Sequence, residues 1–178
     1  MKIYTIGHSA QPLDRFLNLL RYYEVRFLVD VRSVPHSRYH PQYRKAALEQ
    51  GLAEAGFGYL YLGEQLGGRP QDPACYPTGK LPPVGSNPWP QPDYNRVMQQ
   101  PWFVLGIQRL LAVATDQITA LMCSEEDPLD CHRHQLIAAY LHFHYPEIEV
   151  WHIHGSGLVS NAADSLDERN QGDQLSLL

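Results

Sequence analysis

The chain has 178 residues, 44% of them hydrophobic and 19% charged, which is the balance of one globular domain with a real core. A formal net charge of -5 excludes a global basic field, so any contact with nucleic acid needs a local basic patch. Three cysteines argue against a secreted disulfide framework, no apolar run is long enough for a bilayer, and the start lacks a signal-peptide core; a cytoplasmic protein with no membrane partner is expected.

Lys2–Ile6 reads as a buried strand that runs into the turn Gly7-His8-Ser9. Pro12 opens a helix in which Leu13, Phe16, Leu17 and Leu20 keep helical spacing. Val25–Val31 is a second strand and Tyr43–Ala55 a second helix. Gly58–Leu62 is a third strand, stopped by Gly63 and Gly67-Gly68. Residues 69–96 hold eight of the fourteen prolines, so they form neither a regular helix nor a central strand. Cys75, Tyr76, Trp89 and Tyr94 give this stretch apolar anchors, which favours a lid or an ordered wrap over a linker. Trp102–Ala114 is a helix, Ile118–Met122 a strand, Cys131–Tyr145 a helix and Val150–Ile153 a fifth strand. The stretch from Ser160 to Asp173 is polar and lacks aromatics, and a flexible tail is expected there.

Alternating strands and helices predict a single three-layer α/β domain over 1–159. It has a mainly parallel sheet of about five strands, a Pro-rich insertion at 69–96 and a tail at 160–178. Ligands of such sheets bind beyond the carboxyl ends of the strands. Those ends are unusually polar here: His8 and Ser9, Arg32 and Ser33, Glu64, Cys123 and Glu125, and His154.

Cys123 closes the fourth strand and reads either as a buried small hydrophobe or as a nucleophile. Cys131-His132-Arg133 falls where the next helix begins, with Asp130 or its loop as a cap. A helix start favours anions, Arg133 adds a bidentate donor, and a thiol there is more acidic than usual. A structural alternative is Arg133 paired with Asp30 or Glu125. Arg32 either binds a substrate anion or clamps the loop at Glu64. Asp30, if it faces inward, must be paired. His8 and His36 are candidate acid/base groups. Cys123, Cys131, His132 and His8 could together hold zinc, but no paired Cys-x2-Cys knuckle is present, and no cofactor or metal is expected. A dinucleotide fingerprint, a Walker loop and a Cys-x5-Arg loop are all absent.

Thr-Ile-Gly-His-Ser (5–9), Val-Asp-Val-Arg-Ser-Val-Pro (29–35), Leu-Gly-Glu-Gln-Leu-Gly-Gly (62–68) and Cys-Ser-Glu-Glu…Cys-His-Arg (123–133) resemble the domain of unknown function 488 family. Four motifs in order, spread from residue 5 to about 154, carry the resemblance. It implies an α/β fold and supplies no substrate, reaction or cofactor. The family's signature residues fall on His8, Ser9, Asp30, Arg32, Pro35, Glu64, Gly67, Gly68, Cys123, Glu125, Cys131, His132 and Arg133.

Two functions are therefore expected to compete. The first is an enzyme on a phosphorylated, nucleotide-like or nucleic-acid substrate. In it Cys123, Cys131, His8, Glu125 and His132 do the chemistry, and Ser9, Arg32, Glu64 and Arg133 hold the anion. The second is a non-catalytic nucleotide or nucleic-acid binding module. The C-terminal Gln174-Leu175-Ser176-Leu177-Leu178 is similar to the short motif that docks bacterial DNA-processing proteins on the sliding clamp, with Gln174, Leu175, Leu177 and Leu178 as contacts.

Overall fold

A computed structural model describes residues 1–175, with side chains through residue 168. One sheet carries six strands in the order β3-β2-β4-β1-β5-β6. They are β1 (Lys2–Gly7), β2 (Phe27–Asp30), β3 (Gly58–Tyr61), β4 (Thr119–Cys123), β5 (Glu149–Ile153) and β6 (Val159–Asn161). The first five are parallel, and β6 alone runs antiparallel, against β5. Seven α-helices accompany them among the described residues: α1 (Leu13–Tyr22), α2 (Lys45–Glu54), α3 (Gly63–Leu66), α4 (Tyr94–Met98), α5 (Pro101–Asp116), α6 (Ala139–His144) and α7 (Ala162–Leu175). A π-helical turn, Arg133–Ala138, leads into α6.

Successive strand residues face opposite layers, as the period of two requires. In β4, Ala120 and Met122 join the core on one face while Leu121 and Cys123 join the other. On the first face lie α1 (Phe16, Leu17, Leu20) and α2 (Leu48, Leu52). On the second lie α5 (Phe103, Ile107, Leu110), the π turn (Leu136, Ile137) and the start of α7 (Leu166). The chain therefore leaves β2 toward one face and its neighbour β4 toward the other. The loops beyond these two strands diverge, and a crevice opens where they part.

The expected parallel α/β sheet is present, with one strand more than the sequence suggested. The segment from Ser160, expected to be a tail, instead begins by pairing Ser160 with His152 and Asn161 with Trp151. It then enters α7, where Ala162 and Leu166 are buried. Two apolar residues four apart suffice to dock one helical turn, although the segment's composition is polar. Of the expected clamp contacts, Leu177 and Leu178 lie outside the described residues, as do the side chains of Gln174 and Leu175.

The Pro-rich segment is an ordered wrap. Its regular structure is one short 3-10 turn, Pro73–Cys75, before α4, which Asp93 caps through the N–H groups of Asn95 and Arg96. Cys75 and Tyr76 are buried in the main core. The Tyr76 hydroxyl donates to the Pro70 carbonyl at 2.9 Å and receives the Trp89 indole N–H at 3.2 Å.

Candidate functional site

A cavity of about 610 Å³ opens at the carboxyl ends of β2 and β4. Its wall is built from three segments. The loop after β2 supplies Arg32, Ser33, Val34 and His36, the Pro-rich wrap supplies Arg69, Trp89 and Tyr94, and the loop after β4 supplies Cys123, Glu125, Asp130, Cys131 and His132. The volume lies within the roughly 300–1,000 Å³ of small-molecule sites.

Cys123, Cys131 and His132 meet in this wall. The His132 Nδ1 lies 3.7 Å from each sulfur. Its Nε2 lies 3.0 Å from the Val31 carbonyl oxygen, so Nε2 carries the hydrogen and donates it. Both thiols are nearly buried, at 6% and 2% exposure. The Cys131 thiol donates to Cys123; that bond, with His132 and Arg133 nearby and despite burial, holds the Cys123 thiol well below its ordinary range. The same bond and burial push Cys131 up. Burial alone would push His132 down, but the neighbouring Cys123 and the Val31 carbonyl carry it above the usual imidazole value. Gly68 packs its backbone on this ring: a Cβ there would sit 2.8 Å from His132 Cγ, so only glycine fits without moving the imidazole. Tyr94 faces the pair, and burial together with the two cysteines keeps its phenol neutral.

The loop after β4 is held from below. The carbonyls of Cys123 and Ser124 accept the N–H groups of His8 and Ser9, each at 2.9 Å. The carbonyls of Glu125 and Glu126 accept the two terminal nitrogens of Arg133, the second at 2.7 Å. Four consecutive peptide oxygens are thus engaged. In a trans peptide the next N–H points opposite to the carbonyl. Among the described residues, the N–H groups of Ser124, Glu125 and Glu126 donate to no protein acceptor. Such a run of unpaired amides favours an anion. Gly7 makes the close approach possible, since a Cβ there would collide with the Glu125 carbonyl oxygen.

Several side chains named from the sequence serve other purposes. Arg32 lines the cavity wall, but its guanidinium turns inward and does not reach Glu64: it is 3% exposed and grips Asp30 through Nε (2.9 Å) and a terminal nitrogen (2.6 Å). Its other terminal nitrogen donates to the Tyr43 carbonyl at 2.8 Å and to His8 Nε2 at 3.2 Å. The inward-facing Asp30 is thereby paired, and Tyr59 adds a hydroxyl at 3.0 Å. His8 sits behind Arg32, stacked on Tyr43 at 4.1 Å, with Nδ1 bonded to the Ser9 carbonyl at 2.8 Å. Burial pushes its pKa down to about 4, so it is a neutral acceptor for Arg32. Arg133 is fully buried and pairs with neither Asp30 nor the Glu125 carboxylate; it braces the loop by its carbonyls. Ser9, with φ of 43°, serves through its backbone. Glu64 is exposed on α3, away from the cavity wall. Glu125 does line the cavity, and so does His36. Tyr94, Asp130 and Arg69 also line it, although the sequence marked Tyr94 only as an anchor, Asp130 only as a cap and Arg69 not at all. Their one signal was position, in an aromatic-bearing Pro-rich segment and next to a strand-end motif.

Fold and site together define a mostly parallel α/β protein with a thiol–imidazole cluster in a strand-end cavity. The chain belongs to the DUF488 family, a domain of unknown function, whose model matches residues 12–141 and so includes every residue of the cluster. Comparison with curated proteins and with solved structures gave no match. Among the described residues no helix is long and apolar enough to cross a membrane.

Proposed function

We propose that this chain is an enzyme acting on a phosphorylated or nucleotide-like anion bound in the cavity, with Cys123, Cys131 and His132 as its reacting centre. The observation that carries this reading is that an acidified thiol, a second thiol and an imidazole share the wall of a ligand-sized cavity instead of a sealed core. The free amides after β4 support an anionic substrate, and the Trp89 ring offers a face for a base. Glu125 and Asp130 supply carboxylates for proton transfer.

A nucleic-acid substrate is the extended form of the same proposal. Between Asp30 and Glu49 the chain has no carboxylate, and besides the buried, paired Arg32 it carries the exposed Arg38, Arg44 and Lys45. This is the local basic patch that an acidic protein needs, and it adjoins the cavity through Val34 and His36. A cytoplasmic setting belongs to the proposal, because all three cysteines are free thiols. So does docking of the C-terminal Gln174–Leu178 on a bacterial sliding clamp.

The test is a thermal-shift panel of nucleotides, phosphosugars and short DNA and RNA, followed by product analysis of whatever binds. The expected outcome is a raised Tm with one anion class and turnover that Cys123→Ser abolishes while the shift remains. A shift without turnover by the unsubstituted protein would make it a binding module. No shift with any anion would overturn both.

A further inference from the structure

The reacting centre just described has the dimensions of a coordination polyhedron. Zinc binds thiolate sulfur at 2.3 Å and imidazole nitrogen at 2.0–2.1 Å, so a tetrahedral site has sulfur–nitrogen edges of about 3.6 Å. Both Sγ···Nδ1 distances here are 3.7 Å. All three donor atoms lie within 4.8 Å of one another. The imidazole is also turned correctly. Its Nε2–H is fixed on the Val31 carbonyl, which leaves Nδ1 as the nitrogen facing both sulfurs. A ligating histidine ordinarily donates its second ring N–H to just such a group. Gly68 packs against the ring and holds that orientation.

We propose that Cys123, Cys131 and His132 bind one zinc ion through two thiolates and an imidazole, with the fourth position open to the cavity. The inference rests on the reading above and names the chemistry of its centre. His8, a fourth ligand in the set drawn from the sequence, is excluded, because its two ring nitrogens are engaged by Ser9 and Arg32. Two thiolates and an imidazole are soft and borderline donors, which select zinc over magnesium or calcium. Three protein ligands with an open fourth position are the pattern of a catalytic site, whereas structural zinc is closed by four. On binding, two Zn–S bonds and one Zn–N bond form. Any protons on the two sulfurs and on Nδ1 leave to solvent, and the ion sheds all but one of its waters. The resulting centre, Zn²⁺ with two thiolates, is neutral, so it can sit in this nearly buried wall without an unpaired charge. The remaining water, or an oxygen of the anionic substrate, takes the fourth place, in a cavity whose wall also holds Glu125 and Asp130.

The full chain, reduced and stripped with a chelator, is titrated with cobalt(II). The expected result is saturation at one ion per chain, with thiolate-to-cobalt charge-transfer absorption, the visible bands of a tetrahedral ion, and displacement by zinc. Cys123→Ser and Cys131→Ser each weaken cobalt binding by more than about 100-fold, and Cys75→Ser leaves it unchanged. A second measurement needs no variant: zinc protects two of the three cysteines from iodoacetamide, and mass spectrometry identifies them as Cys123 and Cys131. Absence of the charge-transfer band, or equal alkylation of all three thiols with and without zinc, overturns the inference. If the stripped protein keeps full turnover on a substrate and Cys123→Ser loses it, zinc is rejected and the enzyme reading stands. Tight cobalt binding with no ligand and no turnover rejects the enzyme reading alone.

Discussion

Arg32 turns inward, and that decides what its loss does. Its guanidinium is joined to Asp30, the Tyr43 carbonyl and His8 in a nearly dry setting. Arg32→Met leaves the Asp30 carboxylate buried without its partner and is expected to cost roughly 3–5 kcal/mol in urea unfolding. Glu125→Gln, on an exposed cavity residue, is expected to stay within about 0.5 kcal/mol of the parent. A second inward residue sets a pH dependence. His152 accepts or donates to Thr5 at 2.7 Å and to His134 at 2.9 Å, with Arg133 and His154 also near. Burial, then these neighbours, push its pKa down to about 3. The unfolded chain therefore takes up a proton near pH 6.5 that the folded chain refuses. This contribution to stability is complete above about pH 6.5 and declines as pH falls toward about 3. Denaturant unfolding of the parent and of His152→Gln across that window is expected to give a difference that shrinks with acidity; a constant difference would reject the mechanism. The polar strand ends were legible as a group because they stand beside apolar runs. Which of them offer the cavity a free charge was not, since Arg32 lines the wall with its guanidinium bound to Asp30, whereas Glu125, just past β4, is exposed there.

The Pro-rich wrap shows the same division at the scale of an element. Its composition excludes regular structure, and its aromatics announce burial, so an ordered wrap was legible. The separate tasks of Tyr76 and Trp89 were not. Tyr76 is an anchor in the core, whereas Trp89 stands on the cavity with Arg69 over its ring at 5.3 Å. Tyr76→Ala is expected to lower stability by about 3–5 kcal/mol, as other large aromatic truncations do. Trp89→Ala is expected to weaken ligand binding at least fivefold with a smaller loss of stability. Equal stability losses, measured beside a ligand titration, would assign both residues to packing. The longer helices and five strands followed from periodicity. The helices α3 and α4 are too short for a period to show, and α7 offered only Ala162 and Leu166 in a polar run.

Across the whole molecule, the net charge of -5 and the acid-free stretch from Val31 to Leu48 make separate demands on a nucleic-acid partner. Binding through that stretch is expected to fall steeply with added salt, and Arg38→Ala is expected to lessen the slope. Recruitment through the C-terminus would not share this sensitivity, since its motif is mainly apolar. A peptide of residues 165–178 is expected to bind a purified bacterial clamp saturably in fluorescence anisotropy. Gln174→Ala and Leu177→Ala should each abolish the signal; an unchanged curve would leave the clamp without a role.

The strand order also governs how the protein is made. β4 is hydrogen-bonded to β2 on one side and to β1 on the other, so those early strands never pair with each other. A ribosome that has released only the first hundred residues holds β1 and β2–β3 with unmet edges on both sides of a missing central strand. Synthesis of residues 119–123 closes that gap and in the same step delivers Cys123 to the loops that await it. Until then the nascent chain has neither a continuous sheet nor a pocket, and its open edges invite pairing with other chains.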